Sequence, residues 1–416
     1  MGELIENQTI GNVSNIIAAE GGQSWMKYRT MFEPSFQDVK LSKYFGKDMN
    51  NLVGKAMKKI EEHVENGTVL NVTKLMNRLT LDVIGHVGFG LNHLDCINNE
   101  SEELPELSRL NLIAGQSLII FPRWFIRCLS WFIPHFRKVQ YLLEKWPKYM
   151  RELVMNKKRD LQSELQSNHQ DDMENDENFI SQMLREESEE FGKLTIDEVM
   201  SNSHAILLAG NDTTGNCINY CFYHLVMNPH VQEKMKMEID EFTATYRKNQ
   251  PLNVLRLTFD EFESNFPYIK LVLHETLRMN SPVSAIWRRA RKTITLHDGV
   301  VIPRGTFVAF MLAMRNTNRE FWGDDSFQFR PERFQEHPEV LNPQTNADRF
   351  LFTPFSIGSR KCLGQKFSMM EMVLTLVNVL QRYRLEKAFE GEIQEKTTFT
   401  AHTERDVLIR CIPWGK

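Results

Sequence analysis

A single cysteine in a glycine-punctuated loop constrains this chain more than any other stretch. Residues 355–364 read Phe-Ser-Ile-Gly-Ser-Arg-Lys-Cys-Leu-Gly, and the loop runs directly into an apolar helical pattern through Phe367, Met370, Leu374 and Leu380. Cys362 therefore stands at a helix N-terminus, where unpaired backbone N–H groups and the positive dipole end favour a thiolate. Gly358 and Gly364 let the backbone approach a flat ligand closely. Arg360, two residues before the sulfur, offers a forked donor to an anionic edge of that ligand. A cysteine taken alone is ordinarily a small core residue. The flanking pattern points instead to a thiolate serving as axial ligand to a metal held in a flat, anionic group.

The rest of the chain predicts helices around this loop. Apolar residues recur at helical spacing over 49–64 and 72–87, and Gly88 and Gly90 stop the second run. Residues 107–159 read as further helix, interrupted around Pro122 and Pro134, while 166–176 is a polar, acidic, exposed connection. A capping box, Thr195 with Glu198, opens a pattern that continues to Met227, one helix of about 50 Å. Pro229 then opens the next helix with Asn228 as its cap. The middle of the long helix reads Ala209-Gly210-Asn211-Asp212-Thr213-Thr214, a run of poor helix formers, of which Gly alone costs about 1 kcal/mol against Ala. This predicts a local distortion with a use: Gly210 leaves room for a small ligand, and Asp212 and Thr213 relay protons. Cys217 and Cys221, one turn apart with no second pair at ligand spacing, read as core. Residues 281–310 alternate like short strands, and 397–414 reads as a hairpin-like end. The fold class is mainly α with a small β portion. With no linker or repeat in view, residues 1–416 read as a single domain.

Composition excludes several functions. A net charge of −4 gives no reason to propose nucleic-acid binding, and 42% hydrophobic residues support a large core. Six scattered cysteines and no secretory segment favour a reducing compartment. No apolar run is long enough to span a bilayer; the Ser117–Phe136 stretch, interrupted by Pro122, Arg123, Arg127 and Pro134, suits a membrane surface instead.

The Cys362 stretch resembles the haem-binding signature of the cytochrome P-450 family, the haem-thiolate monooxygenases, with Phe355, Gly358, Arg360, Cys362 and Gly364 on its fixed positions. The resemblance implies haem b (iron-protoporphyrin IX) with Cys362 as its iron ligand. Trp25 and Arg29, four apart and so on one helix face, resemble the family's early Trp-x-x-x-Arg helix, which implies contact with a haem propionate. Arg288 falls where many members place another propionate-binding arginine, with Arg289 and Arg291 as competitors. The Gly210–Thr214 stretch is similar to the oxygen-activation motif, implying that Asp212 and Thr213 deliver protons during dioxygen activation. Glu275 and Arg278 resemble the family's Glu-x-x-Arg, which interlocks with an arginine matching Arg333 in a charge network behind the haem loop. By the same resemblance Phe399 and Thr400 reach the pocket.

The implied activity is insertion of one oxygen atom from O2 into a small apolar substrate, by hydroxylation or epoxidation. Electrons come from an NADPH-dependent flavoprotein reductase, since no phosphate-cradling glycine loop for a nicotinamide or flavin occurs. Arg360, Lys361 and Lys366 near the thiolate face would attract that partner. The resemblance implies the cytosolic face of the endoplasmic reticulum membrane. One departure stands out: members normally carry an anchor, a first helix, first strands and a substrate-covering loop ahead of the Trp25 helix, so the chain reads as an N-terminally shortened member. Two rival readings follow, a truncated non-catalytic member with weak or no haem binding, and a haem-thiolate isomerase or dehydratase acting on peroxides. The latter has no need of Asp212 and Thr213.

Overall fold

Apolar residues at three- and four-residue spacing make most of the chain helical. The computed structural model describes residues 14–17, 19, 22–99, 104–105, 107–108, 121, 123–166, 178–185, 187–188, 191–247, 254–345, 348–397 and 400–415. The acidic stretch 167–176, residues 117–120, Pro122 and Phe399 lie outside them. The helices that frame the centre are α1 (Gln23–Phe32), α2 (Asn50–Glu65), α3 (Val72–Val83), α4 (Pro134–Gln166), α5 (Ile196–Met227), α6 (Pro229–Tyr246), α7 (Pro267–Met279) and α8 (Gln365–Arg382).

α5 is the axis of the molecule, about 48 Å long at 1.5 Å per residue. Its capping box forms as expected: Glu198 N donates to Thr195 Oγ1 at 3.2 Å, and Thr195 N to Glu198 Oε2 at 2.8 Å. Both α5 and α8 are buried around most of their circumference, the mark of central rather than surface helices.

The distortion expected at 209–214 does not occur; α5 runs unbroken through it. Thr213 donates its hydroxyl back to Ala209 O at 2.7 Å within ordinary helix geometry. Gly210 lines a cavity and is also closely approached, since a Cβ there would lie 3.0 Å from Ile84 Cδ1. At Gly215 a Cβ would lie 2.6 Å from Asn77 Oδ1. The two glycines bring α5 against α3 and the π-turn Ile84–Gly88 that continues it. Asn228 does take the N-cap position of α6, but its side chain donates back to His224 O at 2.9 Å and caps no N–H of α6. The helical run is interrupted before Pro134 as expected: one helix ends at Leu129, and Pro134 opens α4, which carries Pro147 inside it.

The β portion is scattered in small sheets. β1 (Leu70–Asn71), β2 (Glu187–Ser188), β3 (Gly192–Lys193), β4 (Ala285–Arg289), β5 (Ile294–Thr295), β6 (Val301–Ile302), β7 (Phe307–Met311), β8 (Tyr383–Lys387), β9 (Glu395–Thr397), β10 (Ala401–Thr403) and β11 (Leu408–Pro413) all pair antiparallel. β4 and β7 pair with Arg288 opposite Val308. The C-terminal end is not one hairpin: β10 folds back on β9, whereas β11 lies between β8 and β1. Ile409 is fully buried and Cys411 nearly so while Arg410 points out, so β11 needs a sheet that has a core face.

The charge network forms as expected and is wholly buried. Glu275 takes a fork from Arg278 (Nε to Oε2 at 2.7 Å, Nη2 to Oε1 at 2.8 Å) and a third bond from Arg333 Nε at 3.0 Å. Arg330 N adds a fourth at 2.8 Å. Both guanidinium groups lie over the Trp322 ring, at 5.2 Å and 5.9 Å.

Candidate functional site

The site begins at the N-terminus of α8. The loop before it is held by Cys362 N donating to Phe355 O at 2.9 Å and Lys361 N to Gly358 O at 3.0 Å. Gly358 sits at φ +72°, a conformation that an L side chain rarely adopts. Gly364 is a different case: its φ is −80°, and a Cβ on it would stand 4.0 Å from Cys362 Sγ. It keeps space around the sulfur rather than making a turn.

Cys362 is accessible to a water-sized probe although its thiol lies deep in the protein, because it faces an internal cavity of about 370 Å³. The thiolate expected from the helix N-terminus alone does not follow. Burial pushes the thiol pKa up, outweighing the N–H groups of Gly364 and Gln365 and the charges of Arg29 and Lys361 that pull it down. Those N–H groups are aimed at sulfur as the sequence predicts, but deprotonation requires a metal bond. Among the described residues no cluster of three His, Cys, Asp or Glu could hold an ion. A thiol outside any such cluster fits a metal that brings its other ligands with it.

Trp25, Arg29, Arg288, Phe355 and Arg360 all open on this cavity. Arg29 Nη1 donates to Lys361 O at 2.7 Å, tying α1 to the cysteine loop. Arg360 Nη2 donates to Ala19 O at 2.6 Å, and its guanidinium lies 4.8 Å from the centre of the Trp25 ring. Arg288 donates only to the neighbouring Trp287 O, at 2.8 Å. Among the described residues neither Arg288 nor Arg360 has an ion-pair partner. Burial lowers the pKa of Arg360, and the charges of Arg288 and Arg291 lower it further. Uncompensated positive charge around an otherwise apolar slot fits a flat group with anionic edges, and with the thiol these residues fit a haem.

The competing arginines face elsewhere. Arg289 and Arg291 join Arg304 around a separate outer pocket of about 490 Å³. The three cations expected to draw a partner also divide. Arg360 points inward, and Lys366 is paired with Asp38 at 2.8 Å and Glu263 at 3.5 Å, which leaves Lys361 as the exposed one.

On the opposite wall stand Ile84, Ala209, Gly210 and Thr213. Asp212 is not among them. Successive helical residues diverge by about 100°, so the carboxylate leaves the cavity side and accepts a hydrogen bond from the Thr400 hydroxyl. Burial raises its pKa, opposed by Thr400, by the nearby His402 and by Asn216. The Asn216 contact is an electrostatic one, since its Nδ2 makes no hydrogen bond of good geometry. Thr400 thus reaches Asp212 and not the pocket itself. Sequence reasoning missed this contact, the Arg360–Trp25 stack and the place of Ile84, all of which join residues far apart in the chain.

The sequence profile of the Cytochrome P450 family matches residues 4–409. Similar proteins include Cytochrome P450 3A28 of Bos taurus, 28% identical over 424 residues that cover 98% of this chain and 76% of that protein. Cytochrome P450 3A5 of Homo sapiens is 25% identical over 93% of this chain and 73% of its own length. Ganoderic acid synthetase CYP5150L8 of Ganoderma lucidum is 27% identical over 92% and 74%. Among solved structures, that of a cytochrome P450 (CYP102L1) has the same fold, with a TM-score of 0.78 at 20% identity, covering 99% of this chain and 84% of that one.

Proposed function

The chain belongs to the cytochrome P450 family, the haem-thiolate monooxygenases, and from that premise we propose that Cys362 would hold the iron of its haem through its sulfur. As a member it is a haem enzyme that uses dioxygen and externally supplied electrons. The haem, when bound, supplies the activation of dioxygen for insertion into a substrate.

In this reading the protein's own residues do four things. Gly364 and Gln365 hold the sulfur by their N–H groups. Arg29, Arg288 and Arg360, with Trp25 beneath the last, neutralise the propionates, and Phe355 shapes the cysteine loop. Thr213 presents a hydroxyl at the far wall, with Asp212 behind it as the proton source. Ile84, Ile206, Val283 and Leu312 exclude water and favour an apolar substrate, hydroxylated or epoxidised. The electron donor is an NADPH-dependent flavoprotein reductase, and residues 1–416 act as one domain.

The observation that carries this reading is the buried thiol facing a cavity lined by Arg29, Arg288 and Arg360, of which the last two have no ion-pair partner among the described residues. On reduction under carbon monoxide the haem-loaded protein is expected to give the red-shifted thiolate-type Soret band. Replacing Arg288 and Arg360 together by leucine should weaken haem uptake about 10- to 100-fold, the scale of lost hydrogen bonds to charged groups. Unchanged haem affinity in that variant would falsify the propionate assignment.

The same reading puts the molecule on an endoplasmic reticulum membrane. Among the described residues no helix is long and apolar enough to cross one. The supporting feature is the helix Arg123–Leu129 with the turn after it, where Trp124, Trp131 and Phe132 are 67%, 81% and 76% exposed beside Arg127 and Arg137. Aromatic rings flanked by cations suit the headgroup layer of an anionic bilayer. Co-sedimentation with phosphatidylserine-containing vesicles should fall at least about ten-fold in a Trp131→Ala, Phe132→Ala variant, each ring contributing roughly 1.5–3 kcal/mol if fully buried. Equal sedimentation of variant and parent would remove this surface from the account.

A further inference from the structure

Asp212 and Thr213 are neighbours in α5, yet only Thr213 opens on the cavity. The carboxylate of Asp212 is turned toward the loop between β9 and β10, where the buried Thr400 donates its hydroxyl to Oδ2. Two residues further on, His402 is half-exposed, and its Nδ1 lies 3.4 Å from Thr400 O. Asp212 therefore sits between a residue that meets solvent and a hydroxyl that meets the cavity. A carboxyl so placed has rotational freedom about two side-chain torsions unless something outside the helix fixes it. Thr400 supplies that fixed point from a separate element of the fold.

We propose that Thr400 is a positioning residue for proton delivery, its hydroxyl holding the Asp212 carboxyl turned to the β9–β10 loop between His402 and Thr213. This rests on the Asp212–Thr213 relay described above and adds to it the group that sets the acid's orientation. A hydroxyl donates one hydrogen bond and accepts others. It can therefore orient the acid through Oδ2 and still accept a hydrogen bond from another donor. Valine keeps the shape of threonine and loses both capacities. Serine keeps both and loses one methyl.

The experiment uses the haem-loaded chain and needs no known substrate. Infrared difference spectra against Asp212→Asn identify the Asp212 carboxyl stretch. With NADPH and a flavoprotein reductase, the dioxygen consumed is then partitioned between hydrogen peroxide and water. Thr400→Val is expected to shift the Asp212 band and raise the peroxide-to-water ratio roughly ten-fold, about one decade being the minimum for a lost bond to a charged group. Thr400→Ser should restore both. If valine disturbs the loop, Thr400→Ala carries the same expectation. An unshifted band and unchanged ratio in Thr400→Val, beside a raised ratio in Asp212→Asn, overturn the clamp and leave the relay standing. A shifted band with an unchanged ratio in both variants overturns the relay and Thr400's part in it.

Discussion

Cys362→Ala is expected to abolish turnover and to remove the red-shifted Soret band of the reduced carbon monoxide adduct. The reasoning is one of placement: two thiols line the cavity, but Cys217 lies mid-helix in α5. Only Cys362 has the N–H groups of a helix N-terminus aimed at its sulfur, and among the described residues no cluster of His, Cys, Asp or Glu stands ready to replace it. Burial holds the unligated thiol in its protonated form, so the thiolate exists by virtue of the metal bond and is lost with it. The expected fall in turnover is roughly three orders of magnitude or more, the scale on which removal of an essential group is felt. Cys362→Ser separates geometry from charge donation. It keeps a hydroxyl where the N–H groups of Gly364 and Gln365 point, and should bind some haem without the thiolate spectrum. An alanine variant with the parent's spectrum and turnover would remove Cys362 from the metal altogether.

What could be read from the sequence is what local chemistry decides. The Thr195–Glu198 capping box and the cysteine loop each lie within ten residues, and their cues are backbone N–H groups and positive φ. Glu275 with Arg278 was legible for the same reason, and the resemblance supplied Arg333. The omissions and misreadings came from long-range contacts. Gly210 has a second use that its local run does not show, the close approach of Ile84 from another helix. Sequence likewise gives no sign of Thr400, 188 positions away, toward which the Asp212 carboxylate is turned. The C-terminal strands read as one hairpin because β11 pairs with Leu70–Asn71 near the other end of the chain. Among Arg288, Arg289 and Arg291 the strand pattern gave no preference, since the answer depends on which face of β4 meets the cavity.

Removing the carboxylate behind the loop should do the greatest damage to folding. Glu275→Gln is expected to cost about 3–5 kcal/mol, the range for breaking a buried ion pair from one side. Glu275, Arg278 and Arg333 are 0%, 0% and 1% exposed, so neither water nor salt can take over the lost charge. Glutamine keeps one oxygen for the Arg330 N–H but turns an amide toward a guanidinium, leaving Arg278 with no anion and Arg333 with only Asp325, at 3.4 Å. Arg333→Leu should cost less. The Glu275 carboxylate would keep its fork from Arg278, while the carbonyls of Trp322, Asp325 and Gln328 would lose a donor. Arg278→Lys tests the fork itself. A single ammonium cannot serve two carboxylate oxygens together with Asn316 O and Ser326 O, so it should fall between the other two. Urea midpoints of the three haem-loaded variants give the order, and a Glu275→Gln loss below about 1 kcal/mol, the level of a surface pair, would refute it. Because domains are stable by only about 5–15 kcal/mol, the Glu275 change removes a large share of the margin. It would therefore empty the cavity of haem by unfolding its frame, with Cys362 and its arginines untouched.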